Sequence, residues 1–504
     1  MIRHVIIFFL ISMIESEDCD FGINQLNEIR QIFNDSERRM EAATRGQSGR
    51  SAFVIGNGRN GKSTLINYLM GNLLKAYRSG KYEPLKLELA NSNTKGPEIG
   101  AGSLSVTTIP KKWNSTRPQL QNLDIWDTAG FTDNRGIMQD LNNSFHLYHL
   151  TRKVETLKFI IVISFSDIIN DNVEQMRKLL STLEEYFTDS FRTFFPSISV
   201  IISKAPKSDD FDNLVDHEYI TDKLFNRLLS NPNMSISEVS KDFVRHIIIH
   251  KNQILAFFKK AQQTGIVTSE IDVNIIPAIN NCKRIIKSCL QNVGLTISQE
   301  SEFCLRKAND ELLSIDAILE FQTELCNSFD EKFAASCQSN DTNTLQTNKA
   351  DLNRINESLK TSLDNNSDAE VKIQTLEIIS DNLKKFITAE KLLNKVSLIK
   401  FLDSILKTKG MSYIATSVNG LVNAVKAKIR SLLTTCSHKL NEITENERKK
   451  KEAEDVENSK RVLNNTENDV SKLVIREERK SGWRIFLEGL ARFLQLDGSA
   501  MTMG

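Results

Sequence analysis

The stretch Gly56-Asn57-Gly58-Arg59-Asn60-Gly61-Lys62-Ser63 constrains this chain more than any other. It fits G-x-x-x-x-G-K-[ST], a loop whose glycines let backbone N–H groups turn inward around phosphate oxygens. Ser51 to Ile55 ahead of it reads as a short buried strand. From Thr64 to Met70 the pattern opens a helix. A helix N-terminus at that point adds partial positive charge. The chemistry assigned to the loop follows. Backbone from Gly56 to Thr64 cradles phosphate, Lys62 reaches the β- and γ-phosphates, and the Ser63 hydroxyl ligates Mg²⁺. A glycine-rich turn that binds nothing would not need strand, loop and helix to agree.

From about residue 51 the pattern alternates strand and helix. Apolar runs recur at Ala52–Ile55, Leu123–Trp126, Phe159–Ser164, Ile198–Ser203 and Ile247–His250, with helical stretches between most of them. That alternation predicts an α/β fold, a largely parallel sheet with helices on both faces. Polar inserts at 79–103 and 204–213 fall where such folds carry loops with chemistry. The predicted organisation is a leader and helix over 1–49, an α/β domain over 50–264, and a helical or coiled-coil domain over 265–504. The leader helix is signalled by Leu26, Ile29 and Phe33.

Beyond about 265 the apolar period becomes helical. Leu312, Ile315 and Leu319 recur at steps of three and four. Leu352, Ile355, Leu359 and Leu363 do the same, as do Leu376, Ile379, Leu383 and Phe386. Each run is short, which favours ordinary bundle packing over an extended two-stranded coil. The mixed-sign run from Glu447 to Asp455 reads as a solvated helix face. A last helix, Trp483 to Leu496, carries Trp483, Phe486, Leu487, Leu490, Phe493 and Leu494 on one side, with Arg476, Arg479, Lys480 and Arg484 nearby. It suits a membrane surface or, more simply, the bundle.

Net charge is +1 over 504 residues, so no global field argues for nucleic acid. Cysteines stand at 19, 282, 289, 304, 326, 337 and 436, an odd number with no C-x-x-C pair. They read as reduced thiols without a metal site, which fits a cytoplasmic protein. Val5 to Ile14 is apolar except for Ser12. It is too short to span a bilayer and matches a signal-peptide core in length, but no clear cleavage site follows it.

Two more stretches complete the candidate site. Asp127-Thr128-Ala129-Gly130 closes a strand region downstream of the loop. Asp127 is placed to hold Mg²⁺ through water, and the Gly130 N–H to sense a γ-phosphate. Between the two lies Ser105-Val106-Thr107-Thr108, in which Thr107, with Thr108 as the alternative, is assigned to Mg²⁺ when the γ-phosphate is present.

On these motifs the chain resembles the translation-factor-related GTPases, the broad group with septin-like G domains. Asp127-Thr128-Ala129-Gly130-Phe131-Thr132-Asp133-Asn134-Arg135-Gly136 is similar to a D-T-[AP]-G-F-x-D-x-R-G pattern of uncharacterised protozoan and fungal G proteins. The resemblance covers residues 50 to 255. It implies a P-loop G domain, GTP and GDP as ligands, Mg²⁺, and slow hydrolysis. Ser203-Lys204 then stands where the family's [NT]-K-x-D motif reads guanine, with Pro206 in place of its Asp and Asp209 or Asp210 as candidate substitutes. Phe131 stands where the Ras-like branch has its water-orienting Gln. Arg59 resembles the internal arginine finger of guanylate-binding proteins and atlastins, which acts when two G domains meet; Asp133 and Arg135 are further candidates. The expected catalytic set is Lys62, Arg59 and Thr107, in a nucleotide-dependent homodimer whose helical half takes a protein partner. A non-hydrolysing scaffold and an ATPase are the rival readings.

Overall fold

A computed structural model describes residues 19–47, 49–100, 109–131, 135–170, 173–231, 234–362, 368–383, 387–477, 488–490 and 492–493. The apolar N-terminal run, Thr107, Asp133 and most of the helix expected at 483–496 lie outside them. The chain divides into two compact units. One comprises Met1–Ser314 with Asn394–Ser412, the other Ile315–Leu393 with Tyr413–Gly504.

The first unit is α/β. Its strands are β1 (Ser51–Ile55), β2 (Leu74–Tyr77), β3 (Lys86–Leu89), β4 (Lys111–Asn114), β5 (Asp124–Asp127), β6 (Thr156–Ser164), β7 (Ile198–Ala205), β8 (Leu255–Lys259), β9 (Gly265–Ile266), β10 (Asp272–Val273) and β11 (Ile285–Ile286). The main sheet runs β10-β8-β7-β6-β1-β5-β4, with β11 added on β6. Its centre, from β8 through β7, β6 and β1 to β5, is parallel. β4, β10 and β11 join antiparallel.

The central strands are buried on both faces, so they read as continuous apolar runs. Their alternation sorts residues into two cores. Phe53, Ile55, Phe159, Ile161 and Ile163 enter one. Ala52, Val54, Ile160 and Val162 enter the other. The helices that matter below are α1 (Ile23–Thr44), α2 (Lys62–Met70), α3 (Ile137–Lys153), α4 (Phe165–Ile169), α5 (Glu174–Phe187), α6 (His217–Leu224), α7 (Glu238–Ile249), α8 (Ile275–Asn281) and α9 (Gln299–Leu312). α2 packs Leu65, Ile66 and Leu69 on the second face. α5 packs Met176, Leu179, Leu180 and Leu183 on the first. α1 lies over α3, where the Phe33 ring meets Phe145 at 5.0 Å and His149 at 4.5 Å. The leader helix is therefore part of the first unit.

Several expectations need correction. Ile247–His250 is the end of α7, not a strand. Phe243, Val244 and Ile247 are buried at helical spacing while Ile249 is 73 % exposed. The last parallel strand is Leu255–Lys259 instead. Strand pairing also continues past 264, in β9, β10 and β11, which escape the sequence pattern because they are only two residues long and carry no period. Part of the insert at 79–103 is structured, since β3 pairs with β2 in a small antiparallel sheet completed by β9.

The cysteines are corrected as well. Cys19 is bonded to Cys304 and Cys337 to Cys436. The partners are 285 and 99 residues apart in sequence, so local spacing gave no sign of them. Cys282, Cys289 and Cys326 remain thiols.

The second unit contains α10 (Asp316–Phe333), α11 (Thr342–Ser362), α12 (Ala369–Asn382), the first turn of α13 (Glu390–Leu406), and most of α14 (Gly410–Glu477). Leu352, Ile355, Leu359, Leu376, Ile379 and Leu383 are buried as their spacing predicts. The run Leu312, Ile315, Leu319 does not form one stripe: a break separates α9 from α10, and Leu319 is 47 % exposed. α14 has 68 residues. Ile414, Val418, Leu421, Val425, Ile429 and Leu432 are buried, whereas 446–470 are exposed throughout. No described helix is long and apolar enough to cross a membrane.

Candidate functional site

The candidate site lies at the carboxyl ends of β1, β5, β6 and β7, where an open α/β sheet presents its loops. The loop from Gly56 to Gly61 joins β1 to α2 and turns tightly. Gly56 has φ +145°, and a Cβ there would stand 2.4 Å from the Val162 carbonyl oxygen of β6. Gly61 caps α2 in the left-handed region, at φ 85°. Only glycine meets both demands without strain.

Four polar groups tie the loop to the sheet and to the helices α4 and α5. Asn57 Nδ2 donates to the Gln175 carbonyl at 3.1 Å. Asn60 Nδ2 donates to the Val162 carbonyl and to Asp167 Oδ2, each at 3.1 Å. Ser203 Oγ donates to the Asn60 carbonyl at 2.6 Å. Lys204 Nζ donates to the Arg59 carbonyl at 2.7 Å. Within the loop, Lys62 is buried and its Nζ donates to the Gly56 and Asn57 carbonyls at 3.1 and 2.9 Å. An ammonium folded onto its own loop's carbonyls has partners that an anion can replace.

The D-x-x-G segment comes to the same place. Ser63 Oγ donates to Asp127 Oδ2 at 3.2 Å. A Cβ on Gly130 would lie 2.8 Å from Gly58 N and 3.0 Å from Lys62 Nζ, so this backbone runs against the loop. Phe131 N donates to the Gly56 carbonyl at 3.1 Å, and Thr128 Oγ1 to the Val54 carbonyl at 2.7 Å. Sites far apart in sequence thus meet: Lys62, Ser63, Asp127 and Gly130 beside the loop, Ser203 and Lys204 on its other side. Thr107 lies outside the described residues.

Phe131 is turned inward, only 4 % exposed, with its ring toward Tyr186. Arg59 is exposed at the loop tip, with φ 66°. Lys204 also has positive φ, 57°, at a register shift between β7 and β8. Two non-glycine residues in the left-handed region, joined by one hydrogen bond, mark a strained corner. Burial raises the Asp167 carboxyl above the ordinary Asp value, against the lowering effect of its bond from Asn60.

The residues fit a magnesium ion with phosphate. Ser63 and Asp127 offer two oxygens in one place, and Mg²⁺ takes few protein ligands, completing its shell with water and phosphate. Among the described residues no cluster of three or more His, Cys, Asp or Glu is arranged to hold a metal on its own.

Two contributors were not predicted from sequence. Asp167 follows β6 and braces Asn60. Asn67, one turn beyond Ser63, donates to the Ser63 and Pro97 carbonyls at 2.9 and 2.7 Å, and so fastens the segment near 97 to α2. An Asp just past a strand and an Asn on the helix after a phosphate loop are the available signals, and both are common. Comparison with known proteins adds no further constraint: the chain matches no known family, and no curated protein is significantly similar to it.

Proposed function

We propose that this chain is a nucleotide switch that binds GTP with Mg²⁺, hydrolyses it slowly to GDP, and uses the nucleotide state to govern pairing of two copies or capture of a protein partner by the helical half. One observation carries the reading: Lys62, Ser63, Asp127 and Gly130 converge on a glycine loop at the N-terminus of α2. A triphosphate supplies the oxygens that such a set lacks. Lys62 would exchange two carbonyls for phosphate oxygens, and backbone N–H groups with the helix terminus would add partial positive charge. Ser63 would hold Mg²⁺ directly and Asp127 through water, as assigned from the motifs. The bond between the γ-phosphorus and its bridging oxygen breaks as water attacks, giving GDP and inorganic phosphate. Thr107 is proposed to follow the γ-phosphate. Arg59, exposed at the loop tip, is free to neutralise charge across a pair of these sites.

The test is titration with a fluorescent nucleotide. Lys62→Ala is expected to weaken binding by on the order of 100-fold or more, while circular dichroism stays that of the wild type. Unchanged affinity overturns the reading. The burial of Phe131 favours a second one, a scaffold that holds nucleotide without turning it over. Multiple-turnover phosphate release separates the two.

A further inference from the structure

We propose that this site selects a triphosphate and not a guanine base, so that ATP is accepted about as well as GTP. The proposal rests on the nucleotide reading above and concerns the end of the site away from the phosphates. That end is built by the carboxyl terminus of β7, where Ser203, Lys204, Ala205 and Pro206 pass beside the loop.

Guanine's Watson–Crick edge presents two adjacent donors, N1–H and the N2 amine. A carboxylate aimed at that edge accepts from both and so picks guanine out from adenine strongly. The groups available here do not supply one. The Ser203 hydroxyl donates to the carbonyls of Asn60 at 2.6 Å and Ile163 at 3.3 Å. The Ala205 carbonyl accepts from Lys260 N at 2.8 Å. Pro206 has no backbone N–H and no polar side chain.

Two of the nearby acids, Asp209 and Asp167, are committed elsewhere. Asp209 Oδ1 accepts from Phe211 N at 3.0 Å and Asn213 N at 2.9 Å, and Oδ2 from Asn213 Nδ2 at 3.0 Å. Its own N–H closes the turn on the Asn213 carbonyl at 2.9 Å. The side chain is thus the knot of its loop. Asp167 is held against the back of the phosphate loop by Asn60.

Lys204 remains. The register shift between β7 and β8 re-aims it, and its Nζ is fixed on the Arg59 carbonyl. The four-carbon stem is then an apolar rail between strand end and loop. A rail of this kind supports the flat face of any base and reads none of its edges. Contact that is apolar discriminates weakly, whereas a hydrogen-bonding site rejects the wrong partner strongly.

The experiment is competition. Full-length protein is loaded with a fluorescent N-methylanthraniloyl GDP in Mg²⁺ and displaced by GTP, ATP or ITP. For the wild type, the three are expected to compete within about tenfold of one another. Pro206→Asp puts a carboxylate on the same strand end, and should raise the GTP-over-ATP ratio by on the order of 100-fold. A wild-type preference for GTP of about 100-fold or more overturns the proposal. So does a ratio that Pro206→Asp leaves unchanged in a protein with wild-type circular dichroism. A GTP preference that vanishes in Asp210→Ala also overturns it, and assigns the reading to that side chain. Should the labelled GDP fail to bind at all, the nucleotide reading itself falls, an outcome distinct from the others.

Discussion

The two ends of the 68-residue helix α14 are built from one secondary structure and held by different physics. In its first half an apolar stripe from Ile414 to Leu432 is buried, and Cys436 is bonded to Cys337. In its second half, every residue from 446 to 470 is exposed. Most helical stability in proteins comes from tertiary packing, which this half lacks. The bare half relies on local pairs: Arg448 with Glu445 at 2.8 Å and Glu452 at 3.3 Å, Lys449 with Glu445 at 3.8 Å, and Arg461 with Glu457 at 3.7 Å. Such exposed, salt-screened pairs contribute little each. The comparison teaches that helical state alone says little about stability; burial decides it, here and in the sheet of the first unit.

That lesson ranks the expected effects of substitution. The largest belongs to the sheet core. Phe159→Ala removes a ring that meets Phe53, Tyr186 and Phe187 in a fully buried site. It should cost about 3–5 kcal/mol in chemical denaturation, and less than about 1 kcal/mol would break the comparison.

Next comes acid. His149 is 5 % exposed, and burial pushes its imidazole down to about 4, with Glu37 acting in the other direction. The unfolded chain takes up the proton first as pH falls below the ordinary histidine value. Stability contributed by the neutral ring is therefore full above about pH 6.5 and is lost between there and pH 4. Between pH 7.5 and 5 the wild type should lose about 2 kcal/mol more than His149→Phe. Parallel losses would show that α1 and α3 do not need this ring neutral.

A smaller gain is expected at the loop tip. Arg59 at φ 66° carries a left-handed cost of about 1 kcal/mol that glycine does not. Arg59→Gly should raise the melting temperature by a few degrees, and keep the backbone carbonyl that Lys204 uses. If Arg59 serves as a finger, the same variant loses the rise of turnover with protein concentration. The smallest effect is Leu463→Ser on the bare helix, 49 % exposed, expected within about 0.5 kcal/mol. A larger loss would mean that something covers that half.

Much of the first unit was legible from sequence because its central strands are buried twice over. Four of the five predicted strand runs fall on β1, β5, β6 and β7, and the glycine loop sits between a strand and a helix as its motif requires. The fifth run, Ile247–His250, was misread because three consecutive isoleucines outweighed the helix start before them. Ser237, whose side chain accepts from Ser240 N, and Glu238 in the first turn carried the contrary signal. β9, β10 and β11 were invisible because a two-residue strand owes its conformation to its neighbours. The disulfides were invisible because nothing local links Cys19 to Cys304. Within the site, the loop residues and Asp127 were legible as motif. The bracing of Asn60 by Asp167 was not, since it depends on a contact 107 positions away in sequence.

The bare half of α14 also has a mechanical meaning. Twenty-five residues, 446 to 470, at 1.5 Å each make a rod about 37 Å long. A tilt of about 10° at its base sweeps the far end through roughly 6 Å, more than a helical turn. A displacement at the root too small to break a packed core thus arrives at the tip as a full step, and the rod multiplies distance while dividing force.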